Sequence, residues 1–310
     1  MDNSKALSIL ENIKKVIIGK DDVIEKVLIA VLARGHILIE DIPGVGKTTL
    51  AKALAKSMDL SYKRVQFTPD LMPSDILGIN IYNKETGSFS FKKGPIFNHI
   101  FLADEINRTS PKTQSSLLQA MEEGEVSTEE GDYVLEKPFI VLATQNPIEY
   151  QGTFPLPEAQ LDRFLMRLSI GYPDKSHEVN ILKNHKSIKN MENIEPVVNK
   201  QDILNMQDEV EKVTAQDSIM EYIINIVNVT RNSEELQLGA SPRASIDLLK
   251  AARAKAYISG RDYVIPDDVK EIAIPVLSHR LIMSPSSRIE GKSMEEVLNR
   301  LINKVFIPVI

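Results

Sequence analysis

Gly44-Val45-Gly46-Lys47-Thr48 stands between a short, mostly apolar run, His36-Ile37-Leu38-Ile39-Glu40, and a helix-forming stretch that reaches Met58. Strand, glycine turn and helix in that order form a phosphate cradle. The glycines let backbone amides converge on phosphate oxygens, and the helix N-terminus adds a favourable dipole. In such a turn Lys47 reaches the β- and γ-phosphates of a nucleotide and the Thr48 hydroxyl ligates Mg²⁺. Pro43, Gly44, Val45, Gly46 and Thr49 complete the expected nucleotide-binding turn. One position departs from the usual pattern: Asp41 stands where the standard phosphate loop begins with glycine.

A second group is Phe101-Leu102-Ala103-Asp104-Glu105, an apolar run ending in two carboxylates. At the end of a strand, Asp104 would lie beside the metal, and Glu105 would polarise a water for attack on the γ-phosphate. A protein that only bound nucleotide would not need the second carboxylate. Asn146, just past the apolar run Phe139 to Thr144, falls where ligands gather in a parallel sheet and could hold the attacking water. A turn asparagine before proline accounts for it equally well.

The arginines divide into two problems. Ser241-Pro242-Arg243 opens a helix, and a cation in a first turn opposes the helix dipole by roughly 0.3–1 kcal/mol when exposed. Arg243 is easier to understand there if an anion comes close, so it could touch the γ-phosphate from the lid; on position alone, a solvated surface arginine is the favoured reading. Arg163, in Leu161-Asp162-Arg163-Phe164, could project into the nucleotide of a neighbouring subunit as an arginine finger. Arg108 and Arg167 compete for that role, and spacing does not separate the three.

The elements that must position these groups follow from pattern. Residues 1–35 read as helical, with Asp21-Asp22 opening a run from Val23 to Ala33. Strands are expected at 36–40, 62–67, 100–103, 139–143 and 164–171. The continuous apolar runs at 100–103 and 139–143 suit a parallel sheet covered on both faces. Ser110, Pro111 and Gly124 punctuate a helix as N-cap, first residue and stop. Hairpins are expected at about 79–97, around Gly87, and about 125–137, turning near Glu129-Glu130-Gly131-Asp132. Beyond Pro173 helical patterning dominates, so the boundary between domains is expected near Tyr172 to Ser176. The predicted fold is an α/β nucleotide-binding domain, 1–173, followed by a smaller all-helical lid, 174–310.

The bulk composition narrows the function. The chain has 310 residues, 43% hydrophobic and 26% charged, no cysteine and a formal net charge of -6. Thiolate metal sites, disulfides and a cysteine nucleophile are therefore excluded. An acidic balance argues against a life mainly on nucleic acid. The N-terminal segment has no continuous apolar stretch, and the most hydrophobic run carries Glu25, Lys26, Arg34 and His36. A cytoplasmic protein without membrane insertion is expected. The histidines, His36, His99, His177, His185 and His279, show no metal-binding spacing.

The three stretches 40–48, 104–123 and 143–164 resemble the AAA+ ATPases, and more closely the MoxR family among them. The resemblance covers nearly the whole chain, and MoxR proteins share the Asp-or-Gly variation at the start of the loop. It implies an αβα three-layer P-loop fold with a helical lid, ATP/ADP and Mg²⁺ as ligands, and a ring that is usually hexameric. It makes Lys47 and Thr48 Walker A, Asp104 and Glu105 Walker B, Asn146 sensor 1, Arg163 the arginine finger and Arg243 sensor 2. The segment 16–20 around Gly19 resembles the one that packs on adenine. The two hairpins resemble the helix-2 and pre-sensor-1 inserts of this branch. Family members mature or activate partner complexes, often with a von Willebrand factor A domain protein. A protein remodeller is the preferred expectation; a nucleic-acid motor and a nucleotide-gated scaffold with little turnover are the alternatives.

Overall fold

The computed structural model of the chain describes residues 2–84, 87–128, 131–147, 152–172, 179 and 194–308. Glu129 and Glu130 of the expected second hairpin turn, most of the expected domain boundary, and His177 and His185 lie outside the described residues.

Helices α1 (Ser4–Lys14) and α2 (Asp21–Leu32) lead into β1 (Ile37–Glu40), α3 (Lys47–Ser57) and β2 (Tyr62–Gln66). Then come α4 (Pro73–Leu77), the hairpin β3 (Gly78–Asn83) and β4 (Ser88–Lys93), β5 (Ile100–Asp104) and α5 (Pro111–Glu123). A second hairpin, β6 (Glu125–Thr128) and β7 (Gly131–Val134), precedes β8 (Ile140–Gln145), α6 (Glu158–Leu161) and β9 (Met166–Leu168). The main sheet has the order β2-β5-β8-β1-β9, with every neighbouring pair parallel. The chain leaves β1 toward the β2 edge and later crosses to β9 on the other side. The order therefore reverses around β1, and a crevice opens at the carboxyl ends of β1 and β8.

The local signals act as chemistry demands. The Ser110 side chain accepts from the Thr113 amide, Pro111 opens α5, and Gly124 ends it at φ 69°. The predicted strand 164–171 shrinks to three residues because the amides of Ile170 and Gly171 leave the ladder for the Asp41 carboxylate, 2.6 and 2.7 Å away.

The C-terminal part comprises α7 (Lys200–Lys212), α8 (Asp217–Arg231), β10 (Leu236–Leu238), α9 (Pro242–Ile258), α10 (Pro266–Leu277), β11 (Ile282–Met283), α11 (Pro285–Ile289) and α12 (Met294–Ile302). The helical lid thus also carries a two-stranded antiparallel ladder, β10 with β11. Strands of two and three residues are too short to register as alternation.

Two apolar clusters flank the sheet. One, with Leu38, Phe101, Val141, Leu117 and Leu118, lies under α5. The other runs from α1, α2 and α3 across the opposite face into the lid, joining Ile9, Leu28 and Leu54 to Leu248, Ile272 and Leu298. Ion pairs reinforce this continuity: Arg34 binds Asp208 and Glu211 of α7 at 2.5 and 2.6 Å, and Lys255 of α9 binds Glu25 at 2.8 Å. Among the described residues no helix is long and apolar enough to cross a membrane.

His36, expected only as part of β1's entry, is buried and bonded at both ring nitrogens. Its Nδ1 accepts from the Val141 amide at 3.0 Å, so Nε2 carries the proton toward the Met121 carbonyl at 3.1 Å. Burial pushes its pKa down to about 4, with the nearby Arg243 charge adding to the shift and the Met121 carbonyl opposing it. The folded state then binds fewer protons than the unfolded chain between about pH 6.5 and 4, so stability is fully present above that window and declines as pH falls through it. Urea midpoints followed from pH 7.5 to 5 should therefore fall more steeply for the wild type than for His36→Gln. Parallel slopes would show that this histidine does not titrate on unfolding.

Candidate nucleotide-binding site

The site grows from the carboxyl end of β1. Gly44 and Gly46 adopt φ 87° and 97°, a left-handed geometry that costs a side-chain-bearing residue strain. A Cβ at either would meet nothing within 4 Å, so conformation rather than space demands glycine. With the chain so turned, Lys47 opens α3 and its Nζ donates to the Asp41 carbonyl at 2.7 Å. Burial lowers the Lys47 pKa, partly offset by the negative charges of Asp104, Asp41 and Glu105. Thr48 and Thr49 follow in the first turn.

Asp41, the departure from the usual loop, has a structural reason. It is 7% exposed, and its carboxylate accepts from the amides of Ile42, Ile170 and Gly171 and from the Ser169 hydroxyl at 2.6–3.2 Å. It thereby ties the start of the loop to the chain leaving β9. Lys20, next to Gly19, donates to the Tyr172 carbonyl at 2.8 Å, so the 16–20 segment joins the same assembly. Restoring glycine by Asp41→Gly leaves buried donors unmet, at about 1–3 kcal/mol each. The variant should unfold at lower urea and bind nucleotide more weakly. An unchanged midpoint would contradict this role.

Asp104 ends β5 beside β8, where Thr144 Oγ1 donates to its Oδ1 at 2.6 Å. Arg64, on β2, donates to Oδ2 through Nε at 2.9 Å and Nη2 at 2.6 Å. Glu105 follows in the left-handed region, φ 58° and ψ 52°, and its amide donates to Thr144 Oγ1 at 2.9 Å. A non-glycine residue so placed stores strain that the surroundings must hold. Gln66 and Arg108 hold the other end, donating to Glu105 Oε2 at 2.7 and 3.0 Å. Asn146, 6% exposed, lies one residue beyond β8 at this same edge. Gln66, Arg64 and Thr144 were not singled out from sequence. Only the pairing of β2 and β8 on either side of β5 brings them to the two carboxylates.

The arginines separate cleanly. Arg108 is held by Glu105, and Arg167 binds Glu40 at 2.8 Å, both at the carboxyl edge. Arg163 and Arg243 instead share one carboxylate, Glu122, each at 3.0 Å. Glu122 follows Met121, whose carbonyl receives the proton of His36 at the entrance to β1. Lys47 follows the exit of β1, so this arginine pair sits at the opposite end of the sheet from the phosphate loop.

Magnesium suits the donor set. It is a hard cation that takes oxygen ligands and keeps several waters, so it requires few from the protein. Thr48 offers a hydroxyl and Asp104 a nearly buried carboxylate. Among the described residues no cluster of three or more acidic or histidine side chains forms a separate metal site. A cavity of about 240 Å³ is lined by Asp22 and Val23 of α2, Glu40 of β1, Ser169, Pro275 of α10 and Ser278, with no residue of the 41–49 turn among its lining.

A parallel sheet with the order β2-β5-β8-β1-β9, a left-handed glycine turn before a lysine and a paired-acid strand end define a P-loop ATPase of the AAA+ class. Residues 36–166 match the family described as "ATPase family associated with various cellular activities (AAA)", and residues 228–301 match the AAA lid domain. The YeaC protein of Bacillus subtilis is 51% identical over 300 residues, covering 97% of this chain and 94% of that protein. Chaperone MoxR1 of Mycobacterium tuberculosis is 38% identical, covering 96% and 80%. A solved structure of a candidate ATPase from Cytophaga hutchinsonii superposes with a TM-score of 0.92 at 40% identity, covering 99% and 96%. The chain belongs to the MoxR family of AAA+ ATPases, and its reaction is ATP hydrolysis.

Proposed function

We propose that the chain hydrolyses Mg-ATP at the interfaces of a homo-oligomeric ring, hexameric as the family resemblance implies, and spends the cycle on remodelling a protein client. One observation carries the interface reading: the phosphate loop and the Arg163–Arg243 pair occupy opposite ends of the same sheet. A pair of cations that far around its own subunit suits the nucleotide of the next. Arg163 would then act as a finger, and Arg243, held on the same carboxylate, would enter beside it.

Within one subunit we assign the roles as follows. The amides of 44–48 and the Lys47 ammonium bind phosphates, while Thr48 and Asp104 hold the magnesium. When bound, the metal draws charge from the phosphate oxygens. Glu105 takes a proton from the attacking water, and Asn146 orients that water. The segment 16–20 around Gly19 packs on the adenine base, as the family resemblance implies. Residues 1–173 act as the nucleotide-binding unit and 174–310 as the lid that follows its state. The client meets the hairpins, where Tyr82 and Phe89 are 52% and 59% exposed. The name of the relative Chaperone MoxR1 supports such a client, and a von Willebrand factor A domain protein in the cytoplasm is the candidate the resemblance suggests.

The test joins sedimentation to turnover. Hydrolysis per subunit should appear only as concentration drives assembly, and DNA should leave it unchanged across a range of salt. A monomer as active as the assembly would end the interface reading. Strong DNA stimulation would favour a nucleic-acid motor.

A further inference from the structure

Arg280, between α10 and β11, is a cation with 3% of its surface exposed. Its Nη2 donates to Asp247 Oδ2 of α9 at 2.8 Å and to the Phe164 carbonyl at 2.7 Å, and its Nη1 pairs with Asp162 Oδ1 at 3.1 Å. Ser241, the N-cap of α9, donates to the same Asp162 carboxylate at 3.1 Å. His279 Nε2 lies 2.9 Å from the Phe164 carbonyl. The turn Asp162-Arg163-Phe164 is thus gripped by lid residues on both sides of Arg163.

A buried ion network of this kind is a poor source of stability, because desolvation offsets the attraction. What it supplies is a fixed direction: the planar guanidinium is oriented by its hydrogen bonds to the Asp247 carboxylate and the Phe164 carbonyl, while Asp162 is held by its charge and by the Ser241 hydroxyl. We propose that Arg280 is a positioning residue for Arg163, coupling this subunit's lid to the finger turn so that lid movement sets where the finger reaches in the neighbouring subunit. The inference rests on the reading that Arg163 acts across the interface.

Two full-length variants test it, Arg280→Lys and the shape-preserving Asp162→Asn. Each should still form rings and bind ATP with KM within about twofold, while kcat falls roughly 10- to 100-fold, the loss expected of a group misplaced by about 1 Å. Mixed with Lys47→Ala, each should regain activity, because its own phosphate site is intact and the lysine variant supplies a well-placed finger. The control is Arg163→Ala mixed with Lys47→Ala. If the control recovers and Asp162→Asn does not, the coupling is wrong and the network serves only the fold or the subunit's own site. Unchanged kcat in Asp162→Asn overturns it equally, even if Arg280→Lys fails to fold. A control that does not recover removes the interface reading, and this proposal with it.

Discussion

Glu105→Gln should bind ATP as tightly as the wild type and hydrolyse it about 10²–10⁴-fold more slowly, the usual contribution of a positioned base. The reasoning starts from the local bonds. Gln66 and Arg108 both donate to Glu105 Oε2, and an amide oxygen accepts from the same two donors. The left-handed backbone is held through the Glu105 amide on Thr144, which the substitution leaves alone. Size and placement therefore survive, and only the capacity to take a proton is lost. Equilibrium binding of labelled ATP combined with single-turnover hydrolysis separates the two effects. A wild-type rate in this variant would remove Glu105 from the chemistry and leave its carboxylate as a partner for Arg108. A scaffold that merely binds nucleotide would already turn over slowly before the change, so the wild-type rate is informative too.

Arg163→Ala should lose about 10³–10⁵-fold in kcat, the range seen for arginine fingers, with ATP affinity nearly intact. Lys47→Ala should lose binding itself, because the ammonium that directly follows the glycine turn at the start of α3 is the cation we assign to the phosphates. Each variant alone is inactive for a different reason. If the finger serves the next subunit, mixed rings contain interfaces where an intact phosphate site meets an intact finger, and activity partly returns. Recovery should follow the statistical frequency of such interfaces as the ratio is varied. Rings that assemble from the mixture yet stay inactive would place the finger in its own subunit, against the reading drawn from Arg163 and Lys47 lying toward opposite ends of β1.

Arg243 behaves differently under this arrangement than position in a helix suggested. A first-turn cation opposing the dipole suits a nearby anion, although position alone favours a solvated arginine. Glu122 supplies an anion within the subunit, at 3.0 Å, and also holds Arg163. The dipole argument therefore found the need for a negative partner but not its identity. The partner lies 121 residues away in sequence, and no local rule connects the end of α5 to the start of α9. Asp41 is the reverse case. Its type looked like a blemish in the phosphate loop, and the loss of glycine is made good by amides beyond β9 that no spacing rule links to it.

What the linear chain determined was everything governed by short-range geometry. A glycine turn after an apolar strand, an N-cap serine before a proline, and acids closing a buried strand act through neighbours within one or two turns, so residue type and spacing suffice. The central strands β5 and β8 also reveal themselves, because burial on both faces leaves an apolar run, whereas the exposed edge strand β2 has none. The tertiary structure alone decided which charges share a partner: Arg64 on Asp104, Gln66 on Glu105, Arg280 on Asp162, and two arginines on Glu122. Those pairings depend on strand order and on how the lid docks, and both are set by the summed burial of two apolar clusters rather than by any local preference.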